Sequence, residues 1–297
     1  METIQQCFCC GKSEFRLFAA AKDNYSGAPF EIQQCVDCGF IFTSPRPDIS
    51  EIGKYYTSPD YMSHQSHSRG LVQSVYRVAR QFMMRKKLAM LQAEAGRATG
   101  FSMLDFGCGT ADFLGFVKQN GILAEGVEPD ADARQVAKAV NQVETYSVEQ
   151  SAAFAPQQYD VITLWHVLEH IHELHSQIAL FHTWLKPGGK LIIAVPNIES
   201  WDAKKYGANW DAIDVPRHIY HFSPNSVKRI VGQHGFRFVR QYPLILDAYY
   251  VSMRSEWHLG TGKLVAYLKG LLNGWRSNRS AKQTGQYSSL IYVFEKY

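Results

Sequence analysis

The amino-acid sequence predicts an α/β chain: a mostly parallel sheet flanked by helices on both faces, with a small cysteine-bearing module in front. Two observations carry this. Short, mostly apolar runs at 101–106, 123–127, 143–146, 159–164 and 190–195 alternate with stretches of helical spacing, as expected of buried parallel strands joined by crossover helices. Cys7-x-x-Cys10-Gly11 and Cys35-x-x-Cys38-Gly39 form two paired knuckles ahead of them.

The chain has 297 residues, enough for a main domain with an accessory one, and its net charge of +4 does not by itself imply nucleic acid. No segment resembles a signal peptide or a bilayer span, so the expected compartment is the cytoplasm. Residues 1–47 form the module, with strands expected at 31–34 and 40–43. Four thiolates in two knuckles match tetrahedral zinc; two disulfides or free core cysteines are the alternatives. Cys9 is spare. Ser44-Pro-Arg-Pro47 closes the module, which reads as a brace for the main domain or as a recruiting arm. Residues 48–95 form a helical linker or lid, with Tyr55, Tyr56, Tyr61, His64 and His67 ahead of a helix over 71–93 that carries Arg85-Lys-Lys87.

Leu104-Asp-Phe-Gly-Cys-Gly-Thr-Ala111 is where a strand turns through glycines into a helix, so backbone can approach a ligand closely. The pattern departs from the dinucleotide fingerprint because Asp112 stands at its last glycine. A carboxylate at the strand end, Asp105, suits a ligand with an amino group or hydroxyls. Glu128, at the tip of the next strand, suits the two hydroxyls of a ribose.

Four stretches taken together resemble the class I S-adenosylmethionine-dependent methyltransferases. They are the glycine turn, Val127-Glu-Pro129, Tyr159-Asp-Val-Ile-Thr-Leu-Trp-His-Val-Leu-Glu-His170 and Leu185-Lys-Pro-Gly-Gly-Lys-Leu-Ile-Ile-Ala-Val-Pro-Asn197. The resemblance covers about residues 96–245, and Ala111 replaces the family's third glycine. It implies a Rossmann-like seven-stranded sheet, with 236–242 and 289–295 as a closing antiparallel hairpin. It also implies S-adenosylmethionine as cofactor, with Asp105 on the methionine amino group, the backbones of Gly107, Cys108 and Gly109 against the ligand, and Glu128-Pro129 at the ribose. Val148 and Glu149 would lie near the adenine, and Trp165 and His166 would enter the site from the fourth strand.

His166, Glu169 and His170 share one face if a helix begins there. Ubiquinone-pathway O-methyltransferases and small-RNA terminal 2′-O-methyltransferases carry a metal-binding E-x-x-E-H at the matching place. Here the pattern is H-x-x-E-H, so a second metal site completed by a later histidine stands beside a plain helix anchor. Trp201, Tyr206 and Trp210 read as walls for the methyl acceptor or as packing against the lid. Asp214-Val-Pro-Arg-His-Ile-Tyr-His-Phe222 is the densest titratable cluster, held by a helix that Ser223 caps. It resembles segments in sugar and natural-product methyltransferases. His218 or His221 is the candidate general base, since a histidine's ordinary pKa of about 6.5 fits removal of a hydroxyl proton at neutral pH.

The insertion 243–288 holds Leu264, Val265, Leu268, Leu271 and Leu272 on one helical face beside Lys263 and Lys269. It reads first as a cover over the site or a dimer contact, and second as an interfacial membrane helix; its glycines weaken an isolated helix. The expected function is methyl transfer to a small-molecule hydroxyl of a sugar, natural-product or lipid-pathway intermediate, with no nucleic-acid partner. An RNA- or protein-modifying enzyme that uses the zinc module for recognition, and a non-catalytic binding protein, are the alternatives. The oligomeric state is left open.

Overall fold

The computed structural model describes residues 1–56 and 71–297, and side chains of the second stretch from residue 80 onward. Tyr61, His64 and His67 lie outside the described residues. Strands β1 (Phe15–Lys22), β2 (Pro29–Cys35) and β3 (Ile41–Thr43) come first, followed by the long helix α1 (Leu71–Ala95). The main domain then runs β4 (Ser102–Phe106), α2 (Asp112–Gln119), β5 (Leu123–Val127), α3 (Ala131–Asn141) and β6 (Thr145–Tyr146). The single turn α4 (Val148–Ser151) leads to β7 (Tyr159–Trp165), α5 (Leu174–Trp184), β8 (Leu185–Pro196) and α6 (Trp201–Tyr206). The chain ends with β9 (Tyr220–His221), α7 (Pro224–Gly232), β10 (Phe236–Pro243), α8 (Asp247–His258), α9 (Lys263–Thr284) and β11 (Ser289–Lys296).

Seven strands form one sheet in the order β10-β11-β8-β7-β4-β5-β6. The five from β8 to β6 are parallel, and β11 runs antiparallel to both β8 and β10. This is the Rossmann-like sheet the strand pattern predicts. Met103 and Leu104 of the central strand are fully buried, which is why that run is mostly apolar. The chain leaves β4 toward β5 on one side and later returns to β7 on the other, so the carboxyl ends of β4 and β7 form the switch point where open α/β sheets bind ligands.

The cysteine module is tied into this body. Its sheet takes a fourth strand from the main domain, with Ile41 opposite His221 and Phe42 opposite Tyr220. Phe40 packs with its ring centroid 5.9 Å from Tyr220 and 5.8 Å from Phe222. A two-residue strand has too little pattern to be read from sequence, and β1 was missed as well. Trp201 is half-buried at the start of α6, whereas Tyr206 and Trp210 are buried core rather than acceptor walls. The Trp210 indole donates to Asp202 at 2.8 Å and the Tyr206 hydroxyl to Glu256 at 3.1 Å, so buried carboxylates satisfy their polar ends. No helix among the described residues is long and apolar enough to cross a membrane.

Candidate active site

The turn after β4 uses three left-handed residues, Gly107, Gly109 and Ala111, at φ +78°, +55° and +59°. A side chain at Gly107 would collide with Val167, so glycine is required there for space as well as for backbone conformation. The amides of Gly107 and Cys108 donate to the Val127 carbonyl at 2.7 and 3.1 Å, which folds the turn against β5. Ala111 keeps the same left-handed geometry at a cost of about 1 kcal/mol. The Cys108 thiol packs against Gly126, and burial pushes its pKa up.

Two carboxylates flank this turn. Asp105 is only 3% exposed and accepts from the Thr163 hydroxyl at 2.5 Å. Burial raises its pKa to about 7, against the lowering effects of Thr163 and Lys87. Glu128 accepts from the Gly109 amide at 2.8 Å and the Asp130 amide at 3.0 Å; burial raises its pKa and those amides oppose the rise. The Pro129 carbonyl accepts from Arg134 at 2.7 Å. Val148 and Glu149 sit on α4, just past the end of β6, where Ser147 closes a capping box with Gln150.

Sequence reasoning missed Lys87. Its ammonium lies 3.8 Å from the Trp165 ring centroid and 5.5 Å from that of Phe113, among the carboxylates Asp105 and Asp247. Burial lowers its pKa and the two carboxylates oppose this. The basic run on α1 was its only sequence signal. The Trp165 indole nitrogen is buried with no acceptor among the described residues.

The histidines divide into distinct environments. His166 follows β7 at φ +57°, with Nε2 3.1 Å from Asp247 and Nδ1 3.5 Å from Glu169. Burial opposes its charge, but the two carboxylates prevail and hold its pKa near 10. Asp247 begins α8 and had no signal in the sequence. Glu169 is fully enclosed, and neither of its oxygens has a hydrogen-bond donor among the described residues. Burial alone would raise its pKa; His166 and the neighbouring imidazoles bring it below the ordinary value.

Ligand atoms of Glu169, His170 and His218 lie within 4.8 Å of one another, a grouping that leaves out His166. Nδ1 of His170 is 2.9 Å from the Arg217 carbonyl and Nδ1 of His218 is 2.8 Å from the Ala212 carbonyl. Donation from Nδ1 to each carbonyl would leave Nε2 as the lone-pair nitrogen of each ring; the Tyr56 hydroxyl also lies 2.9 Å from Nδ1 of His170. Burial, and after it the neighbouring His218 imidazole, push the His170 pKa down to about 4. His221 is buried in β9, with Nε2 3.1 Å from the Thr43 hydroxyl, and burial lowers its pKa to about 3. It stands in the module's sheet, opposite Ile41, and outside the Glu169–His170–His218 grouping. Among the cysteines, the sulfurs of Cys7, Cys10, Cys35 and Cys38 converge within 4.8 Å, with Cys7 and Cys38 3.5 Å apart and Cys10 and Cys35 also 3.5 Å apart. The Cys9 amide donates to the Cys7 sulfur at 3.4 Å, and the set fits a tetrahedral zinc ion.

A family model described as a methyltransferase domain matches residues 76–241, more than half of the chain, and the chain belongs to that family. Ubiquinone biosynthesis O-methyltransferase of Klebsiella pneumoniae (strain 342) is 30% identical over 141 residues, which cover 44% of this chain and 58% of that protein. The chain thus spans a little over half the length of the curated relatives it matches. Among solved structures, magnesium protoporphyrin IX methyltransferase from Synechocystis PCC 6803 with bound S-adenosylhomocysteine superposes with a TM-score of 0.53 at 18% identity, covering 84% of this chain and 100% of that one. A putative sarcosine dimethylglycine methyltransferase from Galdieria sulphuraria gives a TM-score of 0.52 at 14% identity, with coverages of 72% and 86%. At these identities the superpositions speak for the fold.

Proposed function

We propose that the protein transfers the methyl group of S-adenosylmethionine to a hydroxyl of a small-molecule acceptor. The carrying observation is the pair of carboxylates at the tips of the neighbouring strands β4 and β5, the buried Asp105 and the half-buried Glu128, one on each side of the glycine turn. Asp105 holds the methionine ammonium, Glu128 the ribose hydroxyls, and α4 flanks the adenine with Val148 and Glu149. Lys87 is placed to meet the methionine carboxylate, which would draw it from Trp165. Methyl transfer is an in-line displacement, so this machinery works by alignment and exclusion of water. A hydroxyl acceptor is supported by the name of the ubiquinone-pathway relative and by the histidines beside the turn. His218 takes the acceptor's proton on Nε2, and Glu169 stabilises the imidazolium formed. His221 serves the packing of β9.

In calorimetry, Glu128→Ala should weaken S-adenosylmethionine binding by one or two charge-assisted hydrogen bonds, roughly 1.5–3 kcal/mol each. Wild-type affinity should also rise between about pH 6 and 7, because Asp105 becomes anionic while the ligand's amino group stays charged. An unchanged affinity in the variant together with a flat pH profile refutes the cofactor assignment. Transfer of labelled methyl to phenolic or sugar hydroxyls tests the reaction itself.

The buried Glu169 carboxylate, which has no hydrogen-bond donor among the described residues and is faced by His166 at 3.5 Å and His218 at 4.0 Å, favours a second reading, in which a divalent cation rests on Glu169, His170 and His218. Such an ion would supply Lewis acidity toward the acceptor hydroxyl, and the backbone carbonyls that orient both imidazoles are in place for it. Activity lost to a chelator and restored by a divalent salt would select this reading over a free His218 base.

We also propose structural zinc on the four cysteines. The ion is expected at about one per chain. Because β9 hangs on the module, stripping the zinc should lower the melting temperature and loosen the His218 segment together with the knuckles. An unchanged melting curve after complete zinc removal counts against it.

A further inference from the structure

Helix α9 turns its large side chains outward. Leu264, Val265, Leu268, Leu271, Leu272 and Trp275 are 75, 48, 61, 60, 47 and 49% exposed. Their spacing lays them along one stripe about three turns long. The opposite stripe is small: Cβ atoms at Gly270 and Gly274 would meet Met253 at 2.7 Å and the Tyr249 backbone at 2.6 Å. The glycines therefore seat α9 tightly on α8, and the apolar stripe is left facing away from the body. A rigid, contiguous apolar patch of this kind marks a binding surface.

The charge around it selects the occupant. Helix α9 contains no Asp or Glu, whereas Lys263, Arg276, Arg279 and Lys282 are all exposed. Arg279 lies over the Trp275 ring, 5.3 Å from its centroid. Lys269 is paired with Glu256 at 3.0 Å and so belongs to the hairpin's own packing. A second copy of the chain docked across a two-fold axis would bring these uncompensated cations face to face.

We propose that this face docks on an anionic lipid bilayer, with the stripe at the boundary between headgroups and acyl chains and the cations at the lipid phosphates. The Trp275 end of the stripe lies toward the candidate active site. Asn278 donates to the Ile245 carbonyl at 3.0 Å, and Asp247, two residues on, meets His166 at 3.1 Å. An acceptor dissolved in the bilayer would be met at that end. The docking itself does not depend on the methyl-transfer reading, because it is measured without cofactor or acceptor.

The test is co-sedimentation of the full chain with vesicles of phosphatidylcholine alone and of phosphatidylcholine mixed with phosphatidylglycerol. Binding is expected to the anionic vesicles only, and to weaken as salt rises. The double variant Leu268→Glu/Leu271→Glu should lose roughly tenfold or more in vesicle affinity, as should Arg276→Glu/Arg279→Glu, each with an unchanged melting curve because the replaced side chains are exposed. A chain that stays in the supernatant with anionic vesicles overturns the proposal. So does a dimer, seen by sedimentation velocity, that Leu268→Glu/Leu271→Glu dissociates while vesicle binding is unaltered.

Discussion

His218→Ala should lower kcat by about 10²–10⁴-fold while S-adenosylmethionine affinity stays at the wild-type level. The imidazole is held by a hydrogen bond from Nδ1 to the Ala212 carbonyl at 2.8 Å, so Nε2 carries the free lone pair, 4.0 Å from Glu169. Its neighbours are poor alternatives. His166 is charged at neutral pH and spent on Asp247 and Glu169, and His221 is enclosed against Thr43. His221→Ala should therefore cost stability more than turnover at a temperature where the fold persists. His170→Ala separates the two mechanistic readings: it should cost about as much as His218→Ala if a cation is held there, and much less if His218 acts as a free base. Wild-type turnover in His218→Ala would reject both readings.

What the sequence could disclose follows from how local each signal is. The glycine turn, the strand-end position of Glu128 and the convergence of the four cysteines are legible because turn residues, strand ends and ligand spacing are written within a few positions of one another. The second metal grouping was half legible: Glu169 and His170 are adjacent, but His218 enters from a loop 48 residues on, while His166 is drawn to Asp247 across 81 positions. Lys87 and β9 likewise acquire meaning only from partners far along the chain. Tyr206 and Trp210 looked like substrate walls because an aromatic residue in a loop has the same letter whether it faces solvent or a buried carboxylate. The α9 glycines looked like weak points of a helix, and only the presence of α8 makes them a packing face.

Arg217→Met should destabilise the fold by about 3–5 kcal/mol, a large part of the 5–15 kcal/mol that holds an ordinary domain together. The Arg217 side chain is wholly buried and joins two carboxylates: Nη2 reaches Asp23 of the N-terminal module at 2.9 Å and Asp214 at 2.5 Å. Nη1 adds the Tyr55 carbonyl at 3.1 Å, and the guanidinium lies over the Tyr25 ring at 4.7 Å. Burial opposes its charge, and hydrogen bonds with Asp214 and Asp23 more than compensate, so its pKa is raised. Methionine fills similar space but leaves the enclosed Asp23 and the half-buried Asp214 without their cation, and lysine cannot reproduce the forked donors. The damage should reach the histidines, since the Arg217 carbonyl accepts from His170 at 2.9 Å and the His218 amide donates to the Asp214 carbonyl at 3.0 Å. Urea unfolding at constant slope is the measurement. Adding Asp23→Asn and Asp214→Asn to Arg217→Met should recover part of the loss, because the stranded charges disappear with their partner. A loss below about 1 kcal/mol for Arg217→Met alone would mean that the network is solvated and does not clamp the module to the site.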